Sequence, residues 1–206
     1  FILVLAVVLG IGFSIGLFFL LPMLLSEFAL AWIGSDFVRN LIEGVVRVAI
    51  FLGYMIAVSR LKDMKRVFSY HGAEHKTIRC YEAKLPLTVE NVRPMTRLHP
   101  RCGTSFLFVV MIVSILVFSV FSSIFHIKAK LLKVLVKLLL LPVVVSISYE
   151  FNRFVGRHDN AVTRALSYPG MALQNFTTNE PDDSMIEVAI RALELVLPER
   201  EGDDRW

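Results

Sequence analysis

Four apolar runs decide what this chain can become. Residues 1–25, 41–59, 105–127 and 131–151 each approach the ~20 residues that cross a hydrocarbon core of ~30 Å. In lipid every backbone N–H and C=O needs a partner within the protein, so runs of this kind are helices. With 55% hydrophobic residues and sixteen phenylalanines, the composition excludes an ordinary soluble domain. It predicts an all-α fold: a polytopic helical membrane protein of about four transmembrane helices, with a cytoplasmic loop and an amphipathic C-terminal helix. Gly10, Gly12 and Gly16 of the first run suit close helix packing. The stretch 26–40, with Glu27, Asp36 and Arg39 around Trp32, reads as an interfacial connection. The chain opens inside an apolar run with neither an initiator methionine nor a basic leader, which predicts a trimmed or incompletely observed product.

Charge orients the runs. Ten lysines and arginines lie between Arg60 and Arg101, and Arg153, Arg157 and Arg164 follow the fourth run, so the positive-inside tendency places the loop between runs two and three, and both chain ends, on the cytoplasmic side. Lys128, Lys130, Lys133 and Lys137 pull the other way. The expected division is a membrane domain over 1–151, carrying a cytoplasmic metal-site loop at 60–104, and a cytoplasmic segment over 152–206. The net charge of +4 belongs to such loops and calls for no specific nucleic acid. Within the second run Glu43 and Arg47 stand one turn apart, the expected remedy for ionisable groups in lipid. Two readings stay open: a pair snorkelling at the helix end, or one lining a polar cavity between helices.

The loop gathers three of the five histidines and both cysteines between Ser69 and Thr104. His71, Glu74 and His75 form H-x-x-E-H, which on a helix puts both imidazoles on one face with the carboxylate beside them. Two histidines at this spacing hold a metal, and the glutamate polarises a bound water. Farther on, His99 and Cys102 form H-x-x-C around the turn-forming Pro100. Two ligand sets follow. His71, His75, His99 and Cys102 would close a structural site. His71 and His75 with a third carboxylate, Glu150 or Glu82, would leave one position open, with Glu74 as general base. Glu150 has a plain alternative as an interfacial carboxylate paired with Arg153 or Lys76. Imidazole and thiolate ligands favour zinc over magnesium or calcium.

Other polar residues have plainer roles. Cys80 reads as a buried small residue, His126 as a cap on a membrane helix end, and His158, beside Asp159, as a structural or solvated side chain. The strip 174–183, QNFTTNEPDD, serves as capping and loop closure; the sharper alternative folds it back over the histidine loop, supplying Glu180 or Thr178. Asp183 or Ser184 then caps a helix whose apolar positions are Ile186, Ala189, Ile190, Leu193 and Leu197.

The stretches YHGAEHKTI, CYEAKLPLTVENVR, RLHPRCGTSF, LLLPVVVSISYE and LQNFTTNEPDDSMIEVAI together resemble the YqhQ-like family of bacterial membrane proteins, a family of unknown function with a suggested metal-dependent activity. The likeness runs from about Arg60 to Leu197. It implies a bacterial cytoplasmic (inner) membrane location and a metal among His71, Glu74, His75, His99 and Cys102, with Glu150 and the 174–183 strip as further polar elements. Members are similar also in a glycine-rich stretch before the first span, and this chain starts after it.

The sequence thus predicts a multi-pass protein in the lipid bilayer, with zinc as cofactor and Glu74 as the catalytic residue of a metal-assisted hydrolase. The rival expectation is a non-enzymatic partner of a membrane complex such as the translocation machinery, with zinc stapling the loop. A transporter using Glu43 and Arg47 is a third class, disfavoured by the lack of an internal repeat.

Overall fold

The computed structural model describes residues 1–29, 33–125, 127, 129–158 and 160–197. Trp32, His126, Lys128 and Asp159, given roles above, lie outside the described residues. The described chain is helical, with no strand among the described residues: α1 (Ile2–Ile15), a π turn (Gly16–Leu20), α2 (Leu21–Ala29), α3 (Asp36–Ser59), α4 (Lys62–Glu82), the single turn α5 (Val89–Val92), α6 (Gly103–Ile124), α7 (Lys130–Arg157), α8 (Ala161–Thr177) and α9 (Asp183–Glu194). Among the described residues, four stretches are long and apolar enough to cross a membrane: Ile2–Leu25, Phe37–Ser59, Gly103–Ile124 and Val134–Arg157. The expected spans are all present. The fourth helix runs past 151 to Arg157, because its polar residues Glu150, Asn152 and Arg153 favour helix as readily as the apolar ones before them.

Contacts divide the chain into two compact units, Phe1–Tyr54 with Val110–Ser148, and Met55–Val109 with Tyr149–Trp206. In the first, Pro22 explains the π turn. Its ring crowds the Phe18 carbonyl four residues back and it has no N–H to offer that carbonyl. Arg47 supplies the missing donor, its Nε lying 2.9 Å from the Phe18 oxygen. The same guanidinium holds Glu43 at 2.7 Å, and Lys137 of α7 reaches that carboxylate at 3.5 Å. The Glu43–Arg47 pair is therefore part of an inter-helix cluster rather than a pair snorkelling alone. Phe18 also meets Tyr54 edge-on at 5.5 Å. Nearby, α3 and α6 touch at Gly44, where a Cβ would overlap the Ile115 side chain.

The second unit is built on α4. Ala73 and Cys80 on its inner face join Val92 of α5 and Ile186 and Ile190 of α9 in one buried cluster, ringed by Leu87, Val89, Met95, Met185 and Ala189. Cys80 is thus the core residue expected, and burial raises its thiol pKa. The cap of α9 is Asp182, one residue before the expected pair, accepting from the Met185 N–H at 3.0 Å. Asn160 caps α8 in a reciprocal box with Thr163.

Replacing Gly44 with leucine inserts a side chain where α3 and α6 already touch. We expect a loss of about 1–3 kcal/mol, the usual cost of overpacking, read as a lowered Tm in detergent. An unchanged Tm would show that Ile115 yields without cost.

Candidate metal centre

Helix α4 presents His71 and His75 one turn apart, as the spacing requires, with ring centroids 4.4 Å apart and the planes at 67°. The chain then returns through the 93–101 segment and delivers Cys102 immediately before α6. The Cys102 carbonyl accepts the Phe106 N–H at 3.1 Å, placing its thiol at that helix's N-terminus. Sγ lies 3.3 Å from His71 Nε2 and 3.2 Å from Thr104 Oγ1. One ligand atom each from His71, His75 and Cys102 fall within 4.8 Å of one another. His75 and Cys102 are buried, and His71 is half-buried.

What turns these groups toward one another is main chain. His71 Nδ1 lies 2.7 Å from the Thr177 carbonyl and His75 Nδ1 lies 2.6 Å from the Arg97 carbonyl. A carbonyl only accepts, so both Nδ1 atoms carry protons and donate. Each imidazole is left with Nε2 as its ligand atom. Donation of one ring nitrogen to a carbonyl is the usual outer support of a metal-bound histidine, fixing both its tautomer and its orientation.

The 174–183 strip does more than cap. Gln174, fully buried, donates to the His99 carbonyl at 2.6 Å and to Ser105 Oγ at 2.7 Å, and accepts the His99 N–H at 2.8 Å. Arg97 donates to the Thr178 carbonyl at 2.6 Å and to its hydroxyl at 2.8 Å. Lys76, almost wholly buried, pairs with Glu180 and donates to the Arg93 carbonyl at 2.9 Å. The Asn179 N–H donates to the Phe68 carbonyl at 2.8 Å. Gly72 lets that backbone pass, since a Cβ there would collide with the Asn179 carbonyl. The strip is thus folded onto the histidine helix, as in the sharper of its two readings, but its contribution beside His71 is the Thr177 carbonyl rather than a Glu180 or Thr178 side chain.

The remaining expected ligands stand apart from the trio. His99 is buried with its ring centroid 5.9 Å from that of His75, but its Nε2 lies 3.1 Å from Glu82 and its Nδ1 accepts the Arg101 N–H at 3.2 Å. Glu82 also binds Arg101. Burial alone would raise the Glu82 carboxyl's pKa, but the hydrogen bond and charge of His99, with Arg101 and Arg79, hold it below the usual range. Glu150 is exposed and pairs loosely with Arg153 at 3.6 Å, the plainer of its two readings, while Lys76 goes to Glu180. Glu74 is exposed on α4, and its charge adds to those acting on His71. His158 is exposed, with Nδ1 2.9 Å from the Phe154 carbonyl. Sequence reasoning had no signal for the Thr177 and Arg97 carbonyls; only the polar density of the strip hinted that this segment had partners.

The electrostatics favour a charged thiolate. Burial pushes the Cys102 thiol up, but hydrogen bonds from His71, then His75 and Thr104, outweigh it and bring the pKa down to about 5. The same Cys102 hydrogen bond raises His71 above its ordinary value, with burial working against it. A cation replacing the proton shared by Cys102 and His71 would bind in its stead.

The family described as "Protein of unknown function (DUF1385)" matches residues 1–199. A curated relative, "Uncharacterized protein YqhQ" of Bacillus subtilis (strain 168), is 39% identical over 191 residues, covering 92% of this chain and 59% of the relative. This chain therefore spans a little under two thirds of that relative's length. No solved structure matches.

A depressed thiol pKa stabilises the fold while the thiolate persists, and that contribution is lost as pH falls through the folded value. In metal-stripped protein we expect the ultraviolet thiolate absorbance of Cys102 to be present at neutral pH and to vanish with a midpoint of about 5. A Cys102→Ser variant supplies the baseline. Absorbance appearing only in alkali would contradict the imidazole contacts.

Proposed function

The chain belongs to the DUF1385 family of proteins of unknown function, and from that premise we propose that it is a metal-dependent hydrolase of a bacterial cytoplasmic membrane, with one zinc ion held by His71, His75 and Cys102 at the cytoplasmic face. The observation that carries this reading is the pair of Nδ1–carbonyl hydrogen bonds, to Thr177 and Arg97, which leave both Nε2 atoms to act with the thiol. Two imidazole nitrogens and a thiolate suit zinc.

Three protein ligands, rather than four, distinguish catalytic zinc from structural zinc. His99, the residue that would close the site, is engaged on both ring nitrogens by Glu82 and the Arg101 N–H, and its main chain is clamped by Gln174. This supports an open position over a staple. Zinc so held supplies Lewis acidity and brings the pKa of a water toward neutrality. The chain's own residues do the rest. Glu74, between the two histidines in sequence and open to solvent, takes the proton from the attacking water and returns it to the leaving group. Thr177 and Arg97 hold the imidazoles in place as the charge changes. The Thr177 hydroxyl, buried and without a hydrogen-bond partner among the described residues, is next in the chain to Thr178, which binds Arg97.

The test is zinc content of detergent-purified protein, followed by hydrolysis of a panel of chromogenic acyl and phosphate esters. Wild type should hold one equivalent. His75→Ala and Cys102→Ala should lose it, while His99→Ala should keep it. Glu74→Gln should keep zinc but lose about 10²-fold or more in rate, the usual contribution of a positioned acid–base group. Loss of zinc in His99→Ala would move the protein to the closed structural site, and an unaffected rate in Glu74→Gln would remove that residue's role.

A further inference from the structure

Helix α8 is inside out. Its buried positions are Thr163, Gly170, Leu173, Gln174 and Thr177, mostly polar or small, at spacings of seven, three, one and three. The stripe beside them, about a quarter turn round the helix, carries Val162, Ala165, Leu166, Pro169 and Phe176, apolar and solvent-facing, at i, i+3, i+4, i+7 and i+14. Val162 is 66% exposed and Leu166 45%. For a helix packed on a protein in water, this polarity is the reverse of the rule.

We propose that this face lies in the lipid headgroup layer, so that α8 is an interfacial helix carrying the catalytic unit on the membrane surface. Three observations select lipid as the occupant. First, only residues 158–160 separate α8 from α7, whose span-length apolar stretch ends at Arg157, so α8 starts where a membrane helix leaves the bilayer. Second, the exposed apolar surface is continuous in sequence with that of the span: Ile147 and Phe154 of α7 are exposed, then Val162 and Leu166. Third, Arg157 ends the span, and Arg164 and Tyr168 stand exposed on the first turns of α8, the cationic and amphipathic aromatic residue types that sit at anionic headgroups.

The inward face gives this seating a consequence. Gly170 lets α8 come close to Ser105, whose Cβ would stand 3.0 Å from a Cβ added at that glycine. Gln174 and Thr177, one and two turns farther along, hold His99 and His71. The helix that touches lipid on one face therefore sets the histidine cluster on the adjoining one, at a fixed height above the headgroups. This placement stands whether or not the cluster binds zinc.

The test uses the full chain, with Trp32→Phe and Trp206→Phe removing native tryptophan, reconstituted without other proteins in vesicles of brominated phosphatidylcholine and phosphatidylglycerol. Single tryptophans are introduced as Leu166→Trp on the apolar face and Asn175→Trp on the polar flank. We expect at least ~twofold stronger quenching by the brominated chains at 166 than at 175, with the order reversed for aqueous acrylamide, as an interfacial helix requires. Val162→Trp and Phe176→Trp should follow position 166, which guards against one poorly folded variant. Equal access of acrylamide to all four positions would overturn the proposal and leave the face to a protein partner.

Discussion

Two hydrogen bonds from imidazole to main chain hold the rest of the site in place. A histidine ring can turn, and either nitrogen can carry the proton; tying Nδ1 to a carbonyl removes both freedoms at once. In this protein the carbonyls come from residues far along the chain, Thr177 for His71 and Arg97 for His75. Each acceptor is itself fixed. Arg97 grips Thr178 with its guanidinium while its own carbonyl receives His75, so the two supports are coupled through one residue. Gln174 completes the arrangement by pairing with both the N–H and the C=O of His99, which sets the segment leading to Cys102. Removing any of these contacts would leave a buried polar group unpaired, which typically costs about 1–3 kcal/mol.

A different solution operates among the apolar helices. Pro22 strips the Phe18 carbonyl of its helical donor, and Arg47 fills the gap while neutralising Glu43, with Lys137 approaching from α7. Each ionisable group is tolerable only because another helix answers it. Such a cluster contributes less to stability than to specificity, since a slip of one helix against another would leave a charge without its partner.

Much of this was legible in the sequence, and the limits follow from physics. The four spans were readable because apolar length is a property of the local sequence. The His71–His75 half-site was readable because helical spacing fixes which side chains share a face. Cys102 could be proposed as a ligand from the H-x-x-C spacing, yet its approach to His71 required the return of the 93–101 segment. His99 looked equivalent to Cys102 in the H-x-x-C pattern. Its ring is instead held by Glu82, seventeen residues earlier, and no spacing rule links the two. Glu150 had an equally good local partner in Arg153. The supporting acceptors were illegible because every residue has a carbonyl, and only the fold selects Thr177 and Arg97. The polar strip 174–183 announced that it needed partners without saying where they were. For α8, only burial shows that its apolar stripe faces outward.

The central claim is that two imidazoles and one thiolate bind a single ion. It is tested most directly by zinc-edge X-ray absorption of the purified, lipid-reconstituted protein. The account predicts a shell with one sulfur at roughly 2.3 Å and two imidazole nitrogens at roughly 2.0–2.1 Å, completed by a light atom. A shell without sulfur, or one in which the sulfur signal survives Cys102→Ser, would contradict it.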